Sequence, residues 1–225
     1  MSTPDTSLAT AAHNNELSHQ FDDLAQQKES ADLGMWTFLI TEVLFFAAMF
    51  FTYSLYRWKY PHIFEVGSRY MDLSLGTANT AVLLTSSLTM VMAVQAGHTG
   101  NRKSIVKWLA ATMFLGFVFL VIKGIEYSHK FQELLVPGAH FSPDLAVHPG
   151  AQIFFSLYFC MTGLHALHMV IGEGILLTIA IMAWRGKFSP TYSNPIEVAG
   201  LYWHFVDIVW IFLFPLFYLV GSRHV

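Results

Sequence analysis

Residues Gly150 to Trp184 read GAQIFFSLYFCMTGLHALHMVIGEGILLTIAIMAW. Thirty-five residues make about 52 Å of helix, longer than the roughly 20 residues that cross a bilayer. A helix this long must tilt strongly, project from the membrane, or both. The stretch is almost wholly apolar, yet it carries His165 and His168 three residues apart and Glu173 five further on. Polar groups at membrane depth need partners on neighbouring helices, so the other apolar blocks are expected to pack beside it.

The composition agrees. Hydrophobic residues make up 54% of the 225 and charged residues only 12%, where soluble domains carry about a quarter. The net charge of −3 offers no basic footprint for nucleic acid. The single cysteine, Cys160, rules out an internal disulfide, a CxxC redox pair and a thiolate cluster. No Gly-rich phosphate motif appears.

Residues 1–32 are polar and acidic, with Asp5, Glu16, Asp22, Asp23, Glu29 and Asp32 against Lys28 alone. They lack the basic start and apolar core of a secretory signal. They read as a mobile tail or a short surface helix, either disordered or docked on a partner subunit, ahead of a five-helix unit at 33–225. Its apolar blocks are Leu33–Tyr56, Leu75–Ala96, Val106–Ser128, Gly150–Trp184 and Val198–Val220. The fold class is therefore all-α, an integral membrane bundle of five transmembrane helices. Pro215 lies inside the last block, where it kinks the helix or is tolerated near its end. Loop charges hardly orient the bundle. With the tail inside, Lys28, Arg102, Lys103, Lys107, Arg185 and Lys187 face Arg57, Lys59, Arg69, Lys130 and Arg223 across it.

Four sets of ionisable residues fall within the blocks. Glu42 sits near mid-depth among Val43, Leu44, Phe45 and Phe46, either as a proton-active carboxyl or as a neutral acid hydrogen-bonded to another helix. Lys123, Glu126 and Lys130 share one side of the third block and read as an ion-pair cluster with a snorkelling lysine. His165 and His168 lack the third or fourth ligand that most metal sites need, so the expectation is hydrogen bonds to facing helices or lipid, with no metal. His204 and Asp207, also three apart, are expected to pair with each other, as a structural dyad or a proton relay.

The blocks LGMWTFLITEVLFFAAMFF (33–51), NTAVLLTSSLTM (79–90), NRK (101–103), IEYSHKF (125–131), FCMTGLHALHMVIG (159–172) and YWHFVDIVWIFLFPLFYLVGS (202–222) resemble subunit III of the haem–copper oxidases, in its cytochrome c oxidase branch. They occur in family order and cover residues 33–222. The resemblance implies a chain with no redox centre and no catalytic residue of its own. Haem a, haem a3 and copper are expected in partner subunits, with subunit I as the main contact and subunit II beside it. Cytochrome c would donate electrons to the complex. The implied setting is an aerobic, proton-pumping respiratory oxidase in a bacterial inner membrane, N-terminus cytoplasmic and C-terminus periplasmic.

Residue by residue, the resemblance makes Glu42 the family's membrane-buried, carbodiimide-reactive glutamate, tied to proton uptake and to stability during turnover. It makes His165 and His168 packing residues of a lipid-bearing cleft, and Arg185 a ligand for a phospholipid headgroup, which suits a bidentate guanidinium. Glu126, His204 and Asp207 match polar positions with structural roles. Two features depart from the pattern. Longer members carry two further N-terminal spans, and Glu173 stands where a small or hydroxylated residue is expected. A bo3-type quinol oxidase, a nitric oxide reductase with a similar subunit, and an independent carrier or proton channel are the alternatives.

Overall fold

The computed structural model describes residues 20–138, 141–188 and 192–221. Among them there are seven helices and no strand: α1 (Leu24–Lys59), α2 (Pro61–Arg69), α3 (Leu73–His98), α4 (Arg102–Gln132), α5 (Pro143–Ala146), α6 (Ala151–Trp184) and α7 (Asn194–Tyr218). Five of them, α1, α3, α4, α6 and α7, are long and apolar enough to span a bilayer. The protein is a multi-pass membrane protein.

The helices begin where short polar side chains can cap them. Asp23 accepts from Gln26 N at 2.7 Å, Asp72 from Ser74 N and Leu75 N, and Asn101 from Ser104 N, which satisfies donors that have no partner inside the helix. The Asp23 cap moves the start of α1 nine residues ahead of its apolar block. Residues 24–32, read from their polarity as a tail or a short surface helix, are helical but continuous with the membrane span, as the first turns of a 36-residue helix. Polarity measures what a segment can bury, whereas Leu24, Ala25, Gln26, Gln27, Lys28 and Glu29 are all good helix formers. This polar start docks on the chain itself, with Lys28 Nζ 3.4 Å from Glu197 Oε2 on α7. Tail residues 1–19 lie outside the described residues.

Helices α3, α4, α6 and α7 pack together, and α1 lies along α6 and α7. Close approach depends on glycine. A Cβ on Gly116 of α4 would come within 2.7 Å of the Trp203 ring, and one on Gly172 of α6 within 3.0 Å. The indole of α7 therefore fills a slot left by missing side chains, a common device where helices associate without a hydrophobic driving force. Gly150, ahead of α6, adopts φ 93° with the Tyr60 ring against it; a side chain there would be strained and would clash.

Helix α7 runs through Pro215 to Tyr218. The proline is tolerated because it is near the end, where the Tyr53 hydroxyl donates to the Leu216 carbonyl from α1. Most of α1 faces outward, including Val43, Leu44, Phe51 and Leu55, as expected of a lipid-exposed helix.

Asp72 links this architecture to pH. Its bonds from the Ser74 hydroxyl, the Leu75 and Ser74 amides, and the nearby Lys130 charge hold its carboxyl below the usual value of 3.8. A lowered folded pKa means the contribution is present above 3.8 and lost as pH falls through the depressed value. Asp72→Ala is expected to cost about 1 kcal/mol at neutral pH, read from unfolding in mixed micelles, with the difference vanishing in strong acid.

Candidate functional site

Two polar sites lie within the membrane-spanning helices. The first is centred on Lys123 of α4, 3% exposed, and Glu126 one turn on, 1% exposed. Lys123 Nζ donates to Glu126 Oε2 at 2.9 Å, to the Tyr218 hydroxyl at 3.0 Å and to the Tyr158 hydroxyl at 3.2 Å. Those hydroxyls donate in turn to Glu126 Oε1, Tyr218 at 2.6 Å and Tyr158 at 2.9 Å. The three ammonium protons and the two phenol protons are all used. The Tyr127, Tyr158, Trp210 and Tyr218 rings lie 5.1–5.7 Å from Nζ, adding cation–π attraction.

The expected snorkelling lysine is therefore not found. Lys123 points into the bundle because α6 and α7 bring two phenols and an indole to it. Lys130 leaves the cluster; its ammonium donates to the Tyr70 carbonyl and lies 3.0 Å from Glu133 Oε2. Spacing on one helix showed which groups share a side, while the facing helices decided which of them pair.

The second site is a carboxyl and an imidazole on two helices. Glu42 Oε2 of α1 lies 3.1 Å from His168 Nε2 of α6, with side-chain exposures of 20% and 12%. His168 Nδ1 lies 2.8 Å from the Leu164 carbonyl. A carbonyl can only accept, so Nδ1 carries a proton. The contact between Nε2 and Glu42 then holds one further proton, on the carboxyl of an acid–imidazole pair or on the ring of a carboxylate–imidazolium pair. Glu42 thus has a basic partner that its apolar sequence neighbours did not reveal. Phe46 packs edge-on to the His168 ring at 5.4 Å, and the Tyr202 hydroxyl donates to the His168 carbonyl.

His165 differs from its neighbour. It is 1% exposed, and neither ring nitrogen has a hydrogen-bond partner among the described residues. It packs by its faces and edges, 5.2 Å from Trp210 and 5.5 Å from Phe119 between ring centroids. The expected hydrogen bond to a facing helix holds for His168 and fails for His165, which α6 turns into an aromatic layer. Asn79 of α3, fully buried with both amide atoms unpartnered, is a polar core residue that the sequence reading did not single out. Only its place within a buried face of α3 could have marked it.

His204 and Asp207 do not pair. His204 Nδ1 contacts Ser87 Oγ of α3 at 2.7 Å, and both Asp207 oxygens are buried without a hydrogen-bond partner among the described residues. Ser87 intercepts the imidazole from the facing helix, so the expected dyad is replaced by an interhelical contact. Arg185 caps the end of α6 in an exposed position, and Arg102 of α4 reaches the adjoining Gly186. Glu173 lies against Gly116 and Trp203 and, among the described residues, makes no hydrogen bond to either site. Among the described residues no group of three or more His, Cys, Asp or Glu side chains is arranged to hold a metal ion.

Removing one member of the Lys123–Glu126 pair leaves the other charge buried. Lys123→Met alone is expected to destabilise by about 3–5 kcal/mol. Lys123→Met with Glu126→Leu should recover much of that loss, a coupling that a double-mutant cycle in mixed micelles reads directly. Additive effects would mean that the two side chains are stabilised separately.

A match to the family described as Cytochrome c oxidase subunit III spans residues 15–222. Cytochrome c oxidase subunit 3 of Loxodonta africana is 32% identical over 203 residues, covering 87% of this chain and 71% of the relative. That of Alkalihalophilus pseudofirmus is 32% identical over 189 residues, covering 84% and 86%. Cytochrome bo(3) ubiquinol oxidase subunit 3 of Pseudomonas aeruginosa is 28% identical over 208 residues, covering 92% and 93%. With nearly the whole chain matched, this protein belongs to the subunit III family of the haem–copper oxidases.

Proposed function

We propose that this chain is the non-redox third subunit of a proton-pumping aa3-type cytochrome c oxidase in a bacterial respiratory chain. There it would support proton uptake by the catalytic subunit, stabilise that subunit during turnover, and hold phospholipid in its cleft. Subunit I would be its main contact, subunit II would lie near it, and those two would carry haem a, haem a3 and copper. The N-terminus would be cytoplasmic and the C-terminus periplasmic.

The observation that carries this reading is the Glu42–His168 contact. A carboxyl and an imidazole 3.1 Å apart on two helices support a role in holding a proton at membrane depth. Such a pair can buffer proton movement beside a catalytic partner and keep α1 registered on α6. It also supports a cleft between α1 and α6, since Val43 and Leu44 on one and Leu167 and Val170 on the other are exposed apolar residues. For the headgroup, Arg185 makes no ion pair among the described residues, and Arg102 stands at the same end of the bundle. Two guanidinium groups there suit a phosphodiester.

The cytochrome c reading is supported by relatives of that name at 32% identity. A quinol oxidase is the second reading. It is favoured by the match in size to the Pseudomonas aeruginosa subunit, 93% of which is covered. Purifying the complex and supplying reduced cytochrome c or a quinol separates them: oxygen consumption driven by cytochrome c supports the first, and consumption driven only by quinol overturns it.

Glu42→Gln is expected to keep haem content while shortening activity lifetime under turnover or slowing proton uptake. Unchanged pumping and an unchanged lifetime would reduce Glu42 to a packing residue. Arg185→Ala is expected to lower the phospholipid retained by the purified complex; equal lipid content would remove Arg185 from headgroup binding.

A further inference from the structure

Glu173 belongs to neither polar site. It lies on α6, twelve residues before Arg185, about 18 Å along the helix from that basic end. The residue is only partly exposed, and its Oε1 is buried without a hydrogen-bond partner among the described residues. A carboxyl here is accommodated because the facing helix has no side chain at Gly116. A Cβ on Gly116 would fall 2.1 Å from Glu173 Oε1 and 2.7 Å from the Trp203 ring. The carboxyl thus fills a notch in α4, floored by backbone and walled by an indole.

What faces this notch decides the protonation state. From α4, Lys123 is two turns away and bound to Glu126, Tyr158 and Tyr218, while Lys107 lies over the Trp108 ring. From α7, His204 is bound to Ser87, and Asp207 brings no positive charge. On α6 itself, His168 is bound to Glu42, and His165 is enclosed by Phe119 and Trp210. Among the described residues Glu173 forms no ion pair, and no buried cation is left to form one. An ionised carboxylate in such surroundings lacks both water and counter-charge, which is far costlier than a neutral acid.

The geometry points to Glu173 as a second intramembrane proton-binding carboxyl, neutral at physiological pH, held in the Gly116–Trp203 notch and reachable from the lipid. This does not rest on the choice of electron donor, and it concerns a residue outside the Glu42–His168 contact. The notch selects for the neutral form, and the partly exposed edge of the residue provides the route by which a proton or an apolar reagent arrives.

An apolar carbodiimide tests both properties. The acid proton passes to a carbodiimide nitrogen, the carboxylate oxygen adds to the central carbon, and an oxygen-to-nitrogen acyl shift leaves a stable N-acylurea with no atom lost. The purified complex is treated with dicyclohexylcarbodiimide and the adducts are assigned by peptide mass spectrometry, which separates Glu173 from Glu42 in the unmodified protein. Adduct on Glu173 at neutral pH is expected, falling as pH rises because the reaction consumes the acid's proton. No adduct on Glu173, or labelling that does not decline with rising pH, overturns the proposal. In infrared spectra of the complex, a carbonyl band of a protonated acid should disappear in Glu173→Gln. Its persistence in that variant, or loss of carboxylate bands instead, overturns the neutral assignment.

Discussion

Burying Lys123 and Glu126 in a medium that cannot solvate them is the constraint on which the rest of the bundle depends. Each charge costs several kcal/mol to remove from water, and a single helix cannot supply enough hydrogen bonds to offset that. The phenols of Tyr158 on α6 and Tyr218 on α7 complete the set. Both must reach one carboxylate oxygen at once, so three helices are held at a common level. Tyr218 is the last residue of α7, three beyond Pro215, which explains why the helix has to continue past its proline. The Tyr53 hydroxyl on the Leu216 carbonyl holds that end from α1.

The rest of the core follows from the same scarcity of water. Where a polar side chain finds a facing partner, it forms an interhelical fastener, as with His168 and Glu42, His204 and Ser87, or Trp203 and Ser86. Where none is available, size and shape decide the outcome. His165 lies between aromatic rings, and Glu173 occupies a notch opened by Gly116. The notch also gives a physical account of how a carboxyl is accommodated at this position. A larger residue on α6 is matched by the absence of one on α4.

Glu42 and Glu173 differ in their surroundings. Glu42 shares its proton with an imidazole whose other nitrogen is fixed by the Leu164 carbonyl, so the proton can change owner with little movement. Glu173 has no such base beside it. Only the first of these settings offers a proton two possible owners within hydrogen-bond distance, at a depth where water is scarce.

Much was legible from the sequence. Five runs of sufficient length and apolarity specified five spanning helices, since in lipid every backbone group must be satisfied within its own segment. The motifs around Glu42, His165, His168 and His204 specified the family, and the intramembrane placement of the ionisable residues followed from their position within those runs. Pairing between helices was not legible. The Lys123–Glu126 pair was expected from its spacing, but Lys123 looked like a lysine snorkelling to the interface, His204 and Asp207 like a dyad, and residues 24–32 like a tail or a separate surface helix. For the first two the deciding group lay on another helix, two tyrosines and a serine; for the third it was the local Asp23 cap, with a docking partner on α7. The apolar pattern of a helix states how deep a residue sits. The rotation and level of its neighbours decide what meets it there, and those are set by how four helices fit together around a buried ion pair.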